Sequence, residues 1–215
     1  MNITKHYLFD FDGTLVDSMP YWSEKMLNIL REFAIPYPDN IIKIIAPLGD
    51  VGTAEYFRDT LGVPLTVEEM IERMDAYALD KYSNTIELKA GVYDYLHALK
   101  KAGCSINILT ASPHRMVDPC LKRIGIYDLF DRIWSTEDFG KTKSDVTLFT
   151  DAAALLGRDV ADVAFFDDNF YAISTAVKAQ MYTVAVYDLS CADYEPELRR
   201  IADRYIESFE GMELV

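Results

Sequence analysis

The order of hydrophobic and polar positions predicts alternating strands and helices. Five short apolar runs end in polar residues and have the length of buried strands: Tyr7–Phe11, Ser105–Leu109, Arg132–Ser135, Val163–Phe166 and Tyr182–Val186. Stretches with the hydrophobic period of a helix separate them, including Pro113–Ile124 and Asp145–Leu156, each followed by a glycine that suits a helix end. This alternation is typical of an α/β protein whose crossover helices cover a parallel sheet.

Residues 15–85 interrupt the alternation, because they contain helical periods and no convincing strand. Within them, Thr66 and Glu69 have the spacing of a capping box in front of a helical apolar stripe. We therefore expect a small α-helical domain over residues 15–85, inserted into an α/β core domain that comprises residues 1–14 and 86–215.

Four further segments extend the prediction. Val92–Lys101 has the pattern of a helix that leads back into the sheet, and a short helix is expected over Thr53–Leu61. The run Ile41–Ile45 fits either a helix or a strand. The acidic tail Glu195–Glu213 is interpreted as an amphipathic surface helix.

Composition and charge narrow the classes of partner. The chain has 215 residues, and 35 acidic against 21 basic side chains give it a formal charge of −14, which disfavours nucleic acid and anionic membrane surfaces as partners. Its three cysteines lie far apart without a CxxC pair, and no apolar run reaches the length of a membrane span. We expect a soluble, unprocessed cytoplasmic protein that is a monomer or a weak homodimer.

Acidic residues follow two of the predicted strands. Asp10 and Asp12 end the first strand, where Gly13 allows a sharp turn, and Asp167 and Asp168 end the fourth. At the carboxyl edge of a parallel sheet these four carboxylates would repel one another, by about 4 kcal/mol for a pair about 4 Å apart at an effective dielectric of about 20. An oxygen-ligated cation such as Mg²⁺ would relieve that repulsion. Two unrelated acidic loops remain the alternative.

Four motifs in order make the chain similar to the haloacid dehalogenase superfamily. The run from Asp10 to Ser18 matches its opening motif, Asp-x-Asp-Gly-Thr-Leu-x-Asp-Ser, at every fixed position. A strand that ends in Thr110-Ala111, a later lysine and the pair Asp167-Asp168 match the other three. The resemblance implies a Rossmann-like parallel-sheet core with a small α-helical cap.

The lysine of the third motif has two candidates. In relatives an aromatic residue usually follows six positions after this lysine, and Lys143 has Phe149 there, whereas Lys141 has Thr147. We choose Lys143 and keep Lys141 as the weaker candidate. The proline that usually follows the lysine is replaced by Ser144.

The resemblance also implies a mechanism, phosphate-ester hydrolysis through a phosphorylated aspartate. Asp10 would be the nucleophile, and Asp12 would be the general acid and then the general base. The implied Mg²⁺ ligands are Asp10, the backbone carbonyl of Asp12, Asp167 and Asp168. The implied phosphate-binding groups are Thr110, the amide of Ala111, and Lys143.

The inserted helices resemble the cap domain of the family, which selects the leaving group. The cap residues that would then contact substrate are Trp22, Pro47, Leu48 and Gly49, although Trp22 also fits a place in the core of the cap. The predicted partner is a small-molecule phosphate ester.

Two other activities stay open. A sugar-phosphate mutase of this family has a histidine where we align Trp22, and basic residues in the cap loop, and neither is present here. A phospho-accepting signalling module uses the same residue types, but it is shorter and carries its acceptor on a middle strand. Mg²⁺-dependent phosphatase activity is therefore the favoured prediction.

Overall fold

The computed structural model describes residues 5–215, which divide into two compact units. One unit runs to Asp17 and resumes at Ile86, and the other comprises Ser18–Thr85. In chain order the elements are β1 (His6–Phe9), α1 (Met19–Glu32), α2 (Ile41–Ile45), α3 (Gly49–Asp59), α4 (Val67–Asn84), α5 (Val92–Lys101), β2 (Ser105–Thr110), α6 (His114–Arg123), β3 (Arg132–Ser135), α7 (Val146–Leu155), β4 (Val163–Asp167), α8 (Phe170–Lys178), β5 (Tyr182–Val186), α9 (Glu195–Ile201) and β6 (Arg204–Ile206).

The first unit is an α/β domain around a six-stranded parallel sheet in the order β3-β2-β1-β4-β5-β6. The predicted fold class is confirmed. The chain moves from β1 to β2 on one side and later to β4 on the other, so the order reverses at β1. Ligands of open α/β sheets bind beside the carboxyl ends of the strands at such a reversal.

Apolar side chains on both faces of the central strands form the core of this unit. On one face of the sheet, Leu8, Phe165 and Ala185 belong to a fully buried cluster. Tyr7 and Phe9 alternate with Leu8 along β1, and their rings lie against Phe166 at centroid distances of 6.0 and 4.6 Å. A strand that is buried on both faces is continuously apolar, as expected for a parallel sheet.

The first strand is shorter than predicted, since it ends at Phe9 and not at Phe11. The N–H of Asp10 still donates to the carbonyl of Phe166 at 2.8 Å, but the chain then turns, and the N–H groups of Leu15 and Val16 both donate to the carbonyl of Phe11. Asp10 and Asp12 therefore follow the strand and do not end it.

The carboxyl-terminal tail differs from its prediction as a single amphipathic helix. Helix α9 ends at Ile201, and the chain then adds β6 to the edge of the sheet beside β5. Phe209 beyond it is buried, with its ring 5.4 Å from that of Tyr95. The strand β6 was not predicted because its three residues are too few to show the alternation of a strand.

The second unit is α-helical, with buried apolar residues from all four helices at its centre, among them Met26, Ile45, Phe57 and Met74. The predicted capping box is confirmed: the hydroxyl of Thr66 accepts from the N–H of Glu69, and the Glu69 carboxylate accepts from the N–H of Thr66.

Two predictions inside the helical unit needed the structure. The ambiguous run Ile41–Ile45 is the helix α2. The helix expected over Thr53–Leu61 begins earlier, at Gly49, and a 3₁₀ turn over Ala46–Leu48 precedes it.

The division between the units falls after Asp17, three residues beyond the expected boundary at residue 14. Residues 15–17 stay with the sheet unit because Val16 forms an antiparallel bridge with Leu88, and the N–H of Asp17 donates to the carbonyl of Glu87 at 3.0 Å. Within residues 5–215, every helix is too short or too polar to cross a lipid bilayer.

Candidate active site

Three carboxylates converge at the carboxyl edge of the sheet. Asp10 follows β1, and Asp167 and Asp168 stand at the end of the neighbouring strand β4. All three are buried, and each places a carboxylate oxygen within 4.8 Å of the others. The alternative of two unrelated acidic loops is thereby excluded.

The ammonium group of Lys143 lies among these carboxylates. Lys143 donates to Asp10 Oδ1, and also to Asp167 Oδ2 at 2.8 Å. Lys141, on the same loop, instead donates to the exposed carboxylate of Asp151 in α7, at 2.5 Å. The structure therefore brings Lys143 and not Lys141 to the cluster.

The electrostatics of the cluster are unfavourable to three ionised acids. Burial, followed by the neighbouring carboxylates, raises the pKa of Asp10 to about 7 even though Lys143 opposes the shift. Burial also raises the pKa of Asp168, with Asp167 and Asp10 adding to the effect. For Lys143, burial alone would lower the pKa, but the carboxylates of Asp10 and Asp167 raise it above its ordinary value.

This donor set fits a divalent cation. With one ammonium among three buried carboxylates, the fully ionised cluster carries two negative charges in excess. Hard oxygen ligands of this kind favour Mg²⁺ or a similar ion, and a bound dication would offset that excess. Asp10, Asp167 and Asp168 are thus able to hold a metal.

Two residues of the turn that follows β1, Gly13 and Thr14, lie against the carboxylate of Asp168. The hydroxyl of Thr14 donates to Asp168 Oδ1 at 2.9 Å. Gly13 has φ +74°, and a Cβ at this position would lie 2.6 Å from Asp168 Oδ2. The glycine therefore serves both the left-handed turn and the close approach of Asp168.

The remaining predicted residues of this unit lie on the adjacent strand β2 and in the first turn. The register pairs Phe9 with Ile108, so Thr110, which ends β2, and Ala111, which follows it, lie at the strand end that adjoins Asp10. Thr110 is buried, and its Oγ1 accepts the N–H of Ser112 at 3.0 Å. Ala111 is exposed at the same edge.

Asp12 does not contribute its carboxylate to the buried acid cluster found among residues 5–215. It accepts a hydrogen bond at Oδ2 from the hydroxyl of Ser112, at 2.5 Å. Sequence reasoning missed this contact, although the position of Ser112 two residues after Thr110 was a usable signal.

A second lysine near the first turn was also missed. Lys89 donates to the carbonyls of Gly13 and Tyr187, at 2.7 and 2.6 Å, and to Asp188 Oδ2 at 3.0 Å. Three donors thus meet three acceptors, which ties the turn after Asp12 to the end of β5. No local pattern marks Lys89 for this role.

The cap residues predicted to contact substrate all belong to the helical unit. Trp22 is half-buried; its indole N–H donates to the hydroxyl of Tyr82 at 3.1 Å, and the ammonium of Lys25 lies 3.5 Å above its ring centre. Pro47, Leu48 and Gly49 are exposed. Within this unit Trp22 therefore contacts Tyr82 and Lys25, whereas the other three residues are exposed.

Comparison with known proteins identifies relatives along nearly the whole chain. The sequence model of the haloacid dehalogenase-like hydrolases matches residues 7–186. YhcW of Bacillus subtilis (strain 168) is 29% identical over 206 residues, which are 93% of each chain. Hexitol phosphatase B of Escherichia coli (strain K12) is 24% identical over 195 residues, 83% of this chain and 82% of the relative.

Solved structures share the fold. CbbY from Rhodobacter sphaeroides, determined in complex with phosphate, superposes with a TM-score of 0.78 over 96% of this chain and 95% of that one, at 16% identity. At this identity the similarity concerns the fold alone.

Proposed function

Because this chain belongs to the haloacid dehalogenase-like hydrolases, we propose that it is a phosphatase that hydrolyses the phosphomonoester of a small molecule through a phosphorylated Asp10. Its similarity to Hexitol phosphatase B over most of both chains supports this class of reaction. The observation that carries the proposal is the buried cluster of Asp10, Asp167 and Asp168 around the ammonium of Lys143.

In the first step a carboxylate oxygen of Asp10 attacks phosphorus as the bond from phosphorus to the ester oxygen breaks. Asp12, which enters this step protonated, gives its proton to the departing oxygen, so an alcohol leaves. Lys143, Thr110 and the amide of Ala111 bind the other phosphoryl oxygens, over which the negative charge is spread.

In the second step water attacks the phosphorus of phosphorylated Asp10. Asp12, now ionised, takes a proton from that water, and the bond between Asp10 and phosphorus breaks to release inorganic phosphate. Both residues return to their starting states. One difficult hydrolysis is thereby divided into two easier displacements.

The metal that we propose is Mg²⁺, held by Asp10, the backbone carbonyl of Asp12, Asp167 and Asp168. When bound, it supplies positive charge that offsets the repulsion between an anionic nucleophile and an anionic phosphoryl group. The raised pKa of Asp10, about 7, is in keeping with a carboxylate that needs positive charge beside it to act as a nucleophile.

We further propose that the helical unit acts as a cap that selects the leaving group. Pro47, Leu48 and Gly49, which are exposed within that unit, are the candidate contacts, with Trp22 as a fourth. Exclusion of water by a closing cap would strengthen the electrostatic interactions of the reacting groups.

The test is release of inorganic phosphate from a panel of phosphomonoesters. The panel includes hexitol phosphates, phosphoglycolate and p-nitrophenyl phosphate, and is run with Mg²⁺, with EDTA and with the Asp10→Asn variant. We expect turnover with Mg²⁺ and a loss of at least about 10³-fold in both other conditions, since each removes a group required for phosphorus displacement. Turnover that survives in Asp10→Asn would refute the proposed nucleophile.

Two lysine variants provide a matched control in the same assay. Lys143→Met should lose activity by about 10²-fold or more, because it removes a charge aimed at the phosphoryl oxygens. Lys141→Met should stay near the wild type. Wild-type protein that transfers phosphate between sugar hydroxyls without releasing it would instead indicate the mutase, and a long-lived phosphoprotein would indicate the signalling module.

A further inference from the structure

The carboxylate of Asp12 is held by a side chain that belongs to none of the groups discussed for phosphate or metal binding. Ser112 is 2% exposed, and its hydroxyl donates to Asp12 Oδ2 at 2.5 Å. The two residues are 100 positions apart in the chain, so the contact exists only in the folded protein.

Ser112 is itself fixed from two sides. Its N–H donates to Oγ1 of Thr110 at 3.0 Å, which ties it to the end of β2. The residue that follows, Pro113, accepts the N–H groups of Met116 and Val117 at 2.9 and 3.2 Å and so begins helix α6. The hydroxyl is therefore presented by a strand end and a helix start, both of them rigid elements.

A fixed hydrogen bond to one oxygen of a carboxylate makes its two oxygens chemically unequal. Oδ2 of Asp12 accepts the hydroxyl of Ser112, and a lone pair used in this way is less able to carry a transferable proton. The bond also stops rotation of the carboxylate, and a displacement of about 1 Å of a catalytic group can cost about 10²-fold in rate.

We propose that Ser112 is a positioning residue that anchors Oδ2 of Asp12, so that the other oxygen, Oδ1, gives the proton to the leaving group and later takes one from water. This inference rests on the proposed phosphatase function and deepens it. Ser112 keeps its own proton throughout: the proton on Oδ1 moves to the ester oxygen as that bond to phosphorus breaks, and a proton from water returns to Oδ1 in the second step.

Substrates with different leaving groups provide a readout specific to this role. A p-nitrophenolate leaves without being protonated, whereas an alkoxide needs the proton of a general acid. The value of kcat/KM reports events up to departure of the leaving group, so it isolates the step in which Asp12 is the acid.

The experiment compares wild type, Ser112→Ala and Ser112→Cys on p-nitrophenyl phosphate, phenyl phosphate and glycerol 2-phosphate. For Ser112→Ala we expect kcat/KM to fall by about 10²-fold on glycerol 2-phosphate, by less on phenyl phosphate, and by less than about threefold on p-nitrophenyl phosphate. Ser112→Cys, whose thiol is a weaker donor, should be intermediate on glycerol 2-phosphate.

The matched control is Ser135→Ala, which removes another buried serine hydroxyl of the sheet unit, one that accepts from the N–H of Glu137. It should lower thermal stability without changing the ranking of the three substrates. A double variant completes the test: in an Asp12→Asn background, Ser112→Ala should add less than about a twofold loss, because the group that it positions is already gone.

An equal loss on all three substrates would overturn the inference, since it would indicate a general structural or phosphate-binding role. No loss on any of them would overturn it as well. A near-wild-type kcat/KM on p-nitrophenyl phosphate shows that a variant is folded. Failure of the proposed function is a separate result, because wild-type protein would then release no phosphate or would do so without Asp10.

Discussion

At the scale of single residues, the turn after the first strand allows little variation. Gly13 combines a left-handed backbone, φ +74°, with an approach to Asp168 that leaves no room for a Cβ. Gly157, at the end of α7, has a similar φ of +68° but nothing within 4 Å of a Cβ. A substitution at Gly157 therefore tests backbone strain alone, whereas one at Gly13 tests backbone strain and a steric clash together.

Gly13→Ala should consequently cost much more than Gly157→Ala. For Gly157→Ala we expect a loss of about 1–2 kcal/mol in the free energy of unfolding, which is the cost of left-handed backbone for a residue with a Cβ, and unchanged kcat. Gly13→Ala should lose more than that and lose phosphatase activity, because Asp168 must move. Urea unfolding and phosphate release measure both; equal effects of the two substitutions would contradict the steric account.

At the scale of elements, a histidine joins the two connections that carry the predicted phosphate-binding residues. His114, the first residue of α6, lies between Asp118 in the same helix, at 3.2 Å, and Asp138 in the turn after β3, at 2.9 Å. The hydrogen bond to Asp138, opposed by partial burial and assisted by Asp118, raises the pKa of His114 above its ordinary value of 6.5. The loop of Lys143 begins shortly after this turn.

The raised pKa of His114 predicts how stability depends on pH. The folded protein keeps the proton on His114 to a higher pH than the unfolded chain does. The stabilisation is therefore complete below the ordinary pKa of 6.5, and it is lost as pH rises through the higher folded pKa. As pH rises above about 6, the free energy of unfolding should fall more steeply in wild type than in His114→Gln, until the pH exceeds the folded pKa.

Urea unfolding across that range tests this dependence, with the difference between wild type and variant removing the contribution of other groups. Asp118→Asn should weaken the pH dependence of the free energy of unfolding by less than His114→Gln does, because Asp138 has the stronger influence on the pKa of His114. If the free energy of unfolding varied with pH equally in wild type and His114→Gln, the ion pairs of His114 with Asp118 and Asp138 would not stabilise the fold.

At the scale of the whole molecule, charge opposes the proposed substrate. A formal charge of −14 repels a dianionic phosphate ester at long range, whereas Lys143 and a bound dication would attract it only at short range. Salt screens the long-range repulsion more than the short contacts inside a buried site.

Added salt should therefore increase kcat/KM of this enzyme. With Mg²⁺ held at saturation, raising NaCl from about 10 to about 200 mM should increase kcat/KM for p-nitrophenyl phosphate by about two- to threefold, with little change in kcat. A steady fall in kcat/KM would show that local positive groups dominate the approach of substrate.

Much of the architecture was predictable because it depends on local patterns. The strands Arg132–Ser135 and Tyr182–Val186 and the helix Val92–Lys101 have the predicted bounds, since apolar runs and helical periods reflect burial directly. The parallel sheet follows from their alternation. β6 was missed because three residues at a sheet edge carry too little pattern.

The sequence alone indicated the chemistry of this chain. Acidic residues follow two apolar strands, Gly13 permits a sharp turn after the first pair of acids, and the spacing of the motifs indicates the family. Only the tertiary structure decided which groups meet. Lys143 rather than Lys141 reaches Asp10, Ser112 holds Asp12, and Lys89 binds the carbonyl of Gly13. These contacts join residues 76 to 133 positions apart, and such pairings depend on strand order and side-chain direction, which leave no periodic trace in the sequence.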